Sequence, residues 1–179
     1  MLIRIVPIGK VEEGVLSSVK EGLESALGIR CRLGQAVDLP VEAYNRWRRQ
    51  FDAEKVIDRI CSAVGVIDRD LPVLGITGED IYYDGLNFVF GLEDPAGFCL
   101  VSIARLRPEF YGERPNFDRL VQRSVKEALH EIGHYLGLSH CRSAECVMSF
   151  SACVEDIDRK KTEFCPNCRV KMATKGINI

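Results

Sequence analysis

The sequence predicts an α+β domain in which a mixed, twisted β-sheet packs against helices. Three observations predict this class. Strand-like and helix-like hydrophobic patterns alternate in the first part of the chain, one long amphipathic helix follows, and the remaining chain is irregular and rich in cysteine. With 179 residues, no repeats and no linker-like tract, the chain has the length of a single domain with its own core.

The N-terminal part predicts two strands and two helices. Residues 1–8 form a short apolar run, which suits a first strand. Residues 11–27 carry apolar side chains at helical spacing and are followed by a glycine, a residue that readily takes the left-handed conformation of a helix terminus. Residues 29–37 predict a second strand, and residues 43–64 predict a second helix.

Three aromatic residues of the second predicted helix share one helical face: Tyr44, Trp47 and Phe51. Core packing is the ordinary interpretation of this spacing, and a lid over a cleft is the alternative. The helical pattern weakens near Phe51 and Asp52, so a break is expected there.

The middle of the chain predicts three further strands. Residues 72–77 are apolar and bounded by turn residues, which is typical of a buried strand. Residues 87–91 and 98–106 flank a turn that contains proline and glycine, and together they predict a β-hairpin. The loop before this hairpin carries Asp80 and Asp84, which are expected to be solvated rather than to bind an ion.

A long amphipathic helix is predicted after a proline-bounded loop at 107–115. Asn116 suits the N-cap, and Asp118 suits the first turn, where an acidic side chain interacts favourably with the helix dipole. An apolar stripe continues along one face of the helix: Phe117, Leu120, Val121, Val125, Ala128, Leu129, Ile132 and Leu136.

This helix carries a motif, H-E-x-x-H-x-x-G-x-x-H, that contains all three histidines of the chain. His130 and His134 lie four residues apart, so a helix places their imidazoles on one face, where both can hold one zinc ion. Gly137 can adopt a left-handed conformation and turn the chain, so that His140 can return to the metal. Three protein ligands with a position left for water are the pattern of a catalytic zinc site. Glu131 lies beside this face, where its carboxylate can accept a proton from water.

The alternative interpretation is an ordinary amphipathic helix whose histidines are solvated or satisfied in the core. The extension of the motif through the glycine to a third histidine argues against it. Histidines that serve only as surface residues would not all collect within eleven positions.

Four cysteines after the motif have the spacing of paired metal ligands. Cys141 and Cys146 form C-x4-C, and Cys165 and Cys168 form C-x2-C after eighteen intervening residues. Two such pairs are typical of a structural four-thiolate zinc site, which can order a tail with little core of its own. The alternatives are a redox C-x-x-C motif, whose thioredoxin-like context is missing, and plain buried cysteines. The remaining cysteines are expected in the core: Cys31, Cys61, Cys99 and Cys153.

Over residues 117–168, the two motifs together resemble the archaemetzincins, a branch of the metzincin metallopeptidases. The resemblance implies a zincin-like fold with an upper sub-domain, residues 1–137, which holds the sheet and the active-site helix. A lower sub-domain, residues 138–179, would hold a structural zinc, with a cleft between the two. Met148, in C-x-M after the third histidine, is similar to the methionine of the family's Met-turn; the alternative is a core residue.

The resemblance also implies a zinc-dependent peptidase with two zinc ions per chain. The three histidines would bind the catalytic ion and the four cysteines the structural one. Glu131 would act as the general base for a zinc-activated water. A peptide or protein substrate would bind in extended conformation along the edge strand of the sheet, for which residues 87–91 are the candidate.

Two features depart from the family pattern. Some metzincins place an oxyanion-stabilising tyrosine shortly after the Met-turn methionine, whereas Ser149, Phe150 and Ser151 follow here. A pro-segment cysteine switch is not expected either.

The composition limits the classes of partner. A net charge of −2, with 46% hydrophobic and 28% charged residues, is ordinary for a globular domain and gives no indication of nucleic-acid or membrane binding. No apolar run approaches the ~20 residues of a membrane span, and Arg4 interrupts the short apolar start, which argues against a signal peptide. We therefore expect a cytoplasmic monomer.

Two rival functions remain open at this point. One is a non-catalytic zinc protein that acts as a binding module with an occluded histidine site. The other is a hydrolase of a non-peptide amide. A peptidase requires a long open groove beside Glu131, whereas a binding module would have that groove blocked.

Overall fold

The structure, a computed structural model, describes residues 2–65 and 72–176. In these ranges the strands are β1 (Leu2–Ile8), β2 (Arg30–Leu33), β3 (Tyr44–Asn45), β4 (Gln50–Asp52), β5 (Val73–Thr77), β6 (Ile81–Tyr82), β7 (Gly91–Asp94) and β8 (Phe98–Ser102). The α-helices of the same ranges are α1 (Glu13–Leu27), α2 (Ala53–Val64), α3 (Phe117–Tyr135), α4 (Val154–Arg159) and α5 (Pro166–Ala173). The first residue of the predicted N-terminal strand and the last three residues of the lower sub-domain lie outside the described residues.

The main sheet is mixed, which confirms the predicted α+β class. Its five strands have the order β2-β1-β5-β8-β7; the first four are parallel, and β7 runs antiparallel to β8 at one edge. The predicted hairpin is therefore present, with Gly91 opposite Val101 and Asp94 opposite Phe98. Every residue of β5 and β8 is buried, as expected for strands that are covered on both faces.

Two hydrophobic cores cover the two faces of this sheet. In β8, Cys99 and Val101 belong to the core on the side of α1 and α3, and Leu100 belongs to the core on the side of α2. The first core continues into the C-terminal tail, where Val147 and Ile157 are fully buried. The tail is therefore attached to the helix that carries the histidines by apolar packing.

Residues 44–52 differ from the prediction, because α2 begins only at Ala53. The side chain of Asn45 accepts hydrogen bonds from the backbone N–H groups of Trp47 (3.1 Å) and Arg48 (3.2 Å), which favours a turn over a helix. Arg49 then takes a left-handed φ of 56°, and the chain returns as β4. The three aromatic residues therefore lie in a short β-hairpin, and their helical spacing does not reflect a helix.

The core-packing prediction for these aromatic residues is wrong at two positions. Trp47 is 99% exposed at the tip of the hairpin, and Tyr44 is also exposed. Asp52 is the true N-cap of α2, since its Oδ1 accepts from the N–H groups of Glu54 (3.1 Å) and Lys55 (3.4 Å).

Three other predicted boundaries shift. The second strand is shorter than predicted, and β8 ends at Ser102, where a 3-10 turn over Ala104–Leu106 follows. Ser102 Oγ accepts from the Ala104 N–H (3.3 Å) and donates to the Glu79 carbonyl (2.6 Å), which turns the chain away from the sheet. Residues 87–90 are not a strand of the main sheet, because β7 starts at Gly91.

The tail is less irregular than predicted, since it contains α4 and α5. The core prediction for Cys31 and Cys99 is confirmed, Cys61 is partly exposed, and Cys153 is exposed. Cys153 is the N-cap residue of α4 instead of joining the core, and Asp156 Oδ2 accepts from its backbone N–H at 3.3 Å. In the part of the chain that the structure describes, no helix has the length and apolar character needed to cross a membrane.

Candidate active site

The helix α3 begins and ends at residues that the sequence predicts. The Asn116 side chain accepts from the Arg119 N–H at 2.9 Å and caps the N-terminus. At the other end, Gly137 has a φ of 79°; its N–H bonds to the His134 carbonyl, and the Leu138 N–H bonds to the Gly133 carbonyl. This pair of bonds is a Schellman motif, which satisfies the last carbonyl groups while the chain turns.

The turn brings all three histidines together. The Nε2 atoms of His130 and His134 lie 3.1 Å apart, and the ring of His140 stacks on that of His130 with a centroid distance of 5.3 Å. Each histidine offers a nitrogen within 4.8 Å of the others. His130 is buried, His134 is half-buried and His140 is exposed, so the cluster opens toward solvent on one side.

The hydrogen bonds of these rings fit a metal ion. His130 Nδ1 lies 2.8 Å from the Val147 carbonyl, and His134 Nδ1 lies 2.9 Å from the Leu138 carbonyl. A carbonyl only accepts, so each Nδ1 carries the proton and each Nε2 presents a lone pair. Two lone pairs that face each other at 3.1 Å repel unless a cation lies between them and binds both.

Burial also keeps these rings in the form that binds metal. Burial lowers the pKa of His130 to about 2, and it lowers the pKa values of His134 and His140 as well. A ring with a lowered pKa is neutral at physiological pH, which is the state that a zinc ligand needs.

Glu131 lies beside the ligand face, on the wall of the cleft nearest the edge strand. Its side chain is buried, and it packs so closely on Gly91 that a Cβ at this glycine would stand 2.7 Å from the Glu131 Cγ and Cδ. Burial raises the pKa of Glu131, and the nearby Glu127 carboxylate raises it further. Sequence reasoning missed the contact between Gly91 and Glu131, because nothing in the local sequence ties two residues that are forty positions apart.

An open cleft of about 520 Å³ contains these groups. Residues 86–93 line one wall and residues 150–152 line the other. The Phe150 ring packs edge-on against His140 at 5.2 Å, and Ser151 Oγ is a buried oxygen with no hydrogen-bond partner among the described residues. The groove beside Glu131 is therefore open, as a peptidase requires.

A buried ion pair at the floor of the cleft was also missed by sequence reasoning. Glu127 lies one helical turn before Glu131, and its Oε1 is 3.3 Å from the Nζ of Lys160. Both side chains are almost completely buried, and Glu127 lines the cleft. Desolvation raises the pKa of Glu127 while the lysine opposes this shift. Neither residue has a spacing signal that a motif could reveal.

The four predicted cysteine ligands also come together. The Sγ atoms of Cys141 and Cys165 lie 3.7 Å apart, as do those of Cys146 and Cys168, and all four lie within 4.8 Å of one another. With Zn–S bonds of ~2.3 Å, a tetrahedral site has sulfur atoms about 3.8 Å apart. The observed separations fit such a site and are far longer than a disulfide bond.

Met148 lies beneath the histidine helix, where the resemblance puts the Met-turn. It is fully buried, and a Cβ at Gly133 would come within 3.1 Å of the Met148 Cε. The Cys141 N–H bonds to the Met148 carbonyl at 2.8 Å, so the turn is tied to the residue that follows His140. Its role in supporting the site stays a prediction.

A mixed sheet over an active-site helix, with three convergent histidines, a glutamate and an open cleft, defines a zinc metallopeptidase. The chain belongs to peptidase family M54, whose family model matches residues 9–174. The substrates are therefore peptides or proteins, and relatives at about 40% identity over the full chain confirm the predicted resemblance to the archaemetzincins.

Relatives and solved structures agree with this assignment. The archaemetzincin of Methanocaldococcus jannaschii is 43% identical over 180 residues, with 100% of this chain and 97% of that protein covered. The archaemetzincin of Pyrococcus furiosus is 40% identical, with coverages of 96% and 92%. Among solved structures, a zinc-dependent peptidase from Methanocorpusculum labreanum has a TM-score of 0.85 at 31% identity, covering 95% of this chain and 99% of that one. The archaemetzincin of Methanopyrus kandleri has a TM-score of 0.83 at 34% identity, with coverages of 97% and 94%.

Proposed function

We propose that the protein hydrolyses peptide bonds of extended polypeptide segments, with Glu131 as general base and a catalytic zinc on His130, His134 and His140. The observation that carries this proposal is the tautomer pattern of the site. One buried and one half-buried imidazole donate from Nδ1 to backbone carbonyls and direct their Nε2 atoms at each other, beside a buried carboxylate in an open cleft.

A zinc ion held by these histidines would supply Lewis acidity, since it would polarise a carbonyl group and lower the pKa of water to ~7. Glu131 accepts the proton of the attacking water and then delivers a proton to the leaving amine. Burial raises the pKa of this carboxyl group, and a zinc ion bound nearby would oppose that shift and keep the carboxylate available as a base. Gly91 leaves the space in which this carboxylate lies.

The edge of the sheet supplies the binding surface for the substrate. Since β7 pairs with β8 on one side only, its other side can pair with an extended peptide. This β7 edge, with residues 86–90 leading into it, takes the place of the predicted strand at 87–91.

A second zinc ion on the four cysteines completes the proposal of two ions per chain. All four of its ligands would lie in residues 138–179, which supports the proposed division into this lower part and an upper part, residues 1–137. That the protein acts as a cytoplasmic monomer without a nucleic-acid partner stays a prediction of the sequence.

The test is a peptide-library digest with the wild type and Glu131→Ala side by side. Loss of the general base should lower the rate by at least ~10²-fold while the zinc content and the thermal midpoint stay unchanged. Equal cleavage by the two proteins would contradict the assigned role. Metal-loaded protein that binds peptides without cleaving them would favour the binding module instead.

A further inference from the structure

One wall of the cleft is held by side chains from outside the main sheet. We call residues 86–90 the rim, because they line the cleft and lead into β7. The carbonyl of Asn87 accepts from Gln50 Nε2 at 3.0 Å, and the carbonyl of Leu86 accepts from Arg48 Nη1 at 2.9 Å. Both donors belong to the hairpin of β3 and β4, so this hairpin holds the backbone of the rim through two hydrogen bonds to its carbonyl groups.

Gln50 is itself held in place. Its side chain is buried, and its Nε2 also donates to Asp80 Oδ2 at 3.1 Å. Asp80 in turn accepts two hydrogen bonds from Arg105, at 2.7 and 2.8 Å. A bidentate arginine–carboxylate pair of this kind fixes direction as well as distance.

The same arginine also reaches the rim. Its guanidinium lies 4.2 Å from the ring centroid of Phe88 and 4.8 Å from that of Phe110. The Phe88 ring packs edge-on against Phe90 at 5.1 Å. The network therefore contacts the rim twice, at the carbonyl of Asn87 through Gln50 and at the ring of Phe88 through Arg105.

The backbone of β4, β6 and Val89 is also paired by hydrogen bonds that do not involve these side chains. Strand β4 pairs with β6, and the Val89 N–H bonds to the Ile81 carbonyl at 3.1 Å. Loss of the Gln50 amide would leave these bonds and the β3–β4 hairpin unchanged. Its specific effect would be to remove the shortest hydrogen bond to the Asn87 carbonyl, which Arg48 Nη1 reaches only at 3.4 Å while it holds the Leu86 carbonyl at 2.9 Å.

We propose that Gln50, Asp80 and Arg105 are positioning residues that hold the rim in the conformation that receives the substrate, an inference that rests on the proposed peptidase function. They act through Asn87 and Phe88 rather than by touching the substrate. A rim that takes the binding conformation only part of the time weakens peptide binding by that fraction. The metal ligands and Glu131 lie on α3 and its C-terminal turn, so the chemical step is not affected.

The principal variant is Gln50→Leu, which keeps the volume and removes the donor. For a long peptide that lies along the rim, we expect KM to rise ~10-fold and kcat to stay nearly unchanged. A ~10-fold rise corresponds to a rim that takes the binding conformation about one-tenth of the time. A blocked dipeptide amide that does not reach the rim should show no change. A second variant, Asp80→Asn, should give the same split by weakening the arginine pair, and it keeps the test valid if Gln50→Leu does not fold.

A matched control separates positioning from stability. Asp158 makes a similar bidentate pair with Arg123, at 2.7 and 2.6 Å, and contacts no rim residue in the described structure. Asp158→Asn should lower the thermal midpoint without changing KM for the long peptide. Zinc content should be equal in all variants.

Binding is also measured without turnover, which keeps this inference distinct from the peptidase function. The comparison is between Glu131→Ala and the double variant Glu131→Ala, Gln50→Leu. The Kd of a labelled long peptide should be higher in the double variant by the same factor that is expected for KM. An unchanged Kd, or an equal loss with the long and the short substrate, would overturn the positioning role. If the wild type cleaves no peptide, the function proposed above fails, and the Kd comparison still decides the role of the rim network.

Discussion

Replacement of Gly91 by alanine tests the closest contact of the proposed general base. The new Cβ would stand 2.7 Å from the Glu131 Cγ and Cδ, and an ordinary contact between carbon atoms needs about 3.5 Å or more. One of the two groups must therefore move by about 1 Å, and the movable one is the Glu131 side chain. The backbone at Gly91 does not have a positive φ, so alanine is not strained there.

The expected result is a large loss of rate with a modest loss of stability. A displacement of ~1 Å at a catalytic group can cost about 10²-fold, so kcat should fall by that order. Overpacking costs ~1–3 kcal/mol, and for a chain of this size 1 kcal/mol lowers Tm by about 2–4 °C. The measurements are kcat on a library-derived peptide, Tm by circular dichroism and zinc by elemental analysis.

Gly14→Ala is the matched control. Its Cβ would meet Phe117 Cζ at 3.4 Å, an ordinary contact, in helix α1 and away from the cleft. This variant should keep full activity and gain up to ~1 kcal/mol from the better helix propensity of alanine. Wild-type kcat in Gly91→Ala would refute the argument, because it would mean that the carboxylate does not need its observed position.

Three further predictions concern the supports of the site. A mild chelator should remove one zinc before the other, since the histidine cluster is open to solvent and the thiolate cluster is closed. Simultaneous loss of both ions in a metal-release assay would count against two separate sites. The double substitution Cys165→Ser and Cys168→Ser should weaken zinc binding at the histidines by ~10–100-fold, because the tail holds the carbonyl groups that orient the histidine rings. An unchanged affinity of the histidine site in a zinc titration would show that the Gly137 turn alone positions His140. Lys160→Met should cost ~3–5 kcal/mol at neutral pH by leaving the Glu127 carboxylate buried without a partner. The pKa of Glu127 is raised in the folded state and would rise further in this variant, so protonation of Glu127 at acidic pH relieves the penalty of the unpaired charge. The urea midpoints of the variant and the wild type should therefore differ less at acidic pH than at neutral pH. A difference that does not depend on pH would contradict the ion pair.

The sequence predicts the metal ligands well because their geometry is local. Four-residue spacing on a helix, a glycine turn and a C-x2-C hook each determine a short-range arrangement, and the structure brings together every residue predicted from them. The long helix is predicted for a similar reason, since its cap and apolar stripe are both encoded in consecutive residues.

The support of the site could not be predicted, because it depends on contacts between distant residues. Gly91 against Glu131, Lys160 against Glu127 and Gln50 against the Asn87 carbonyl each join segments that are more than thirty positions apart. The hairpin at 44–52 was mistaken for helix for another reason. There, an Asx turn at Asn45 competed with a hydrophobic spacing that also fits a helix.

The hydrogen bonds of the first two histidines have a consequence for the order of assembly. The carbonyl groups that fix their tautomers belong to Leu138 and Val147, which follow the helix in the chain. A chain that emerges N-terminus first can form the helix, with both imidazoles in place, before these carbonyls exist to orient them. A chain truncated before residue 147 would therefore carry the H-E-x-x-H helix without the carbonyl group that orients His130, and so without a competent site.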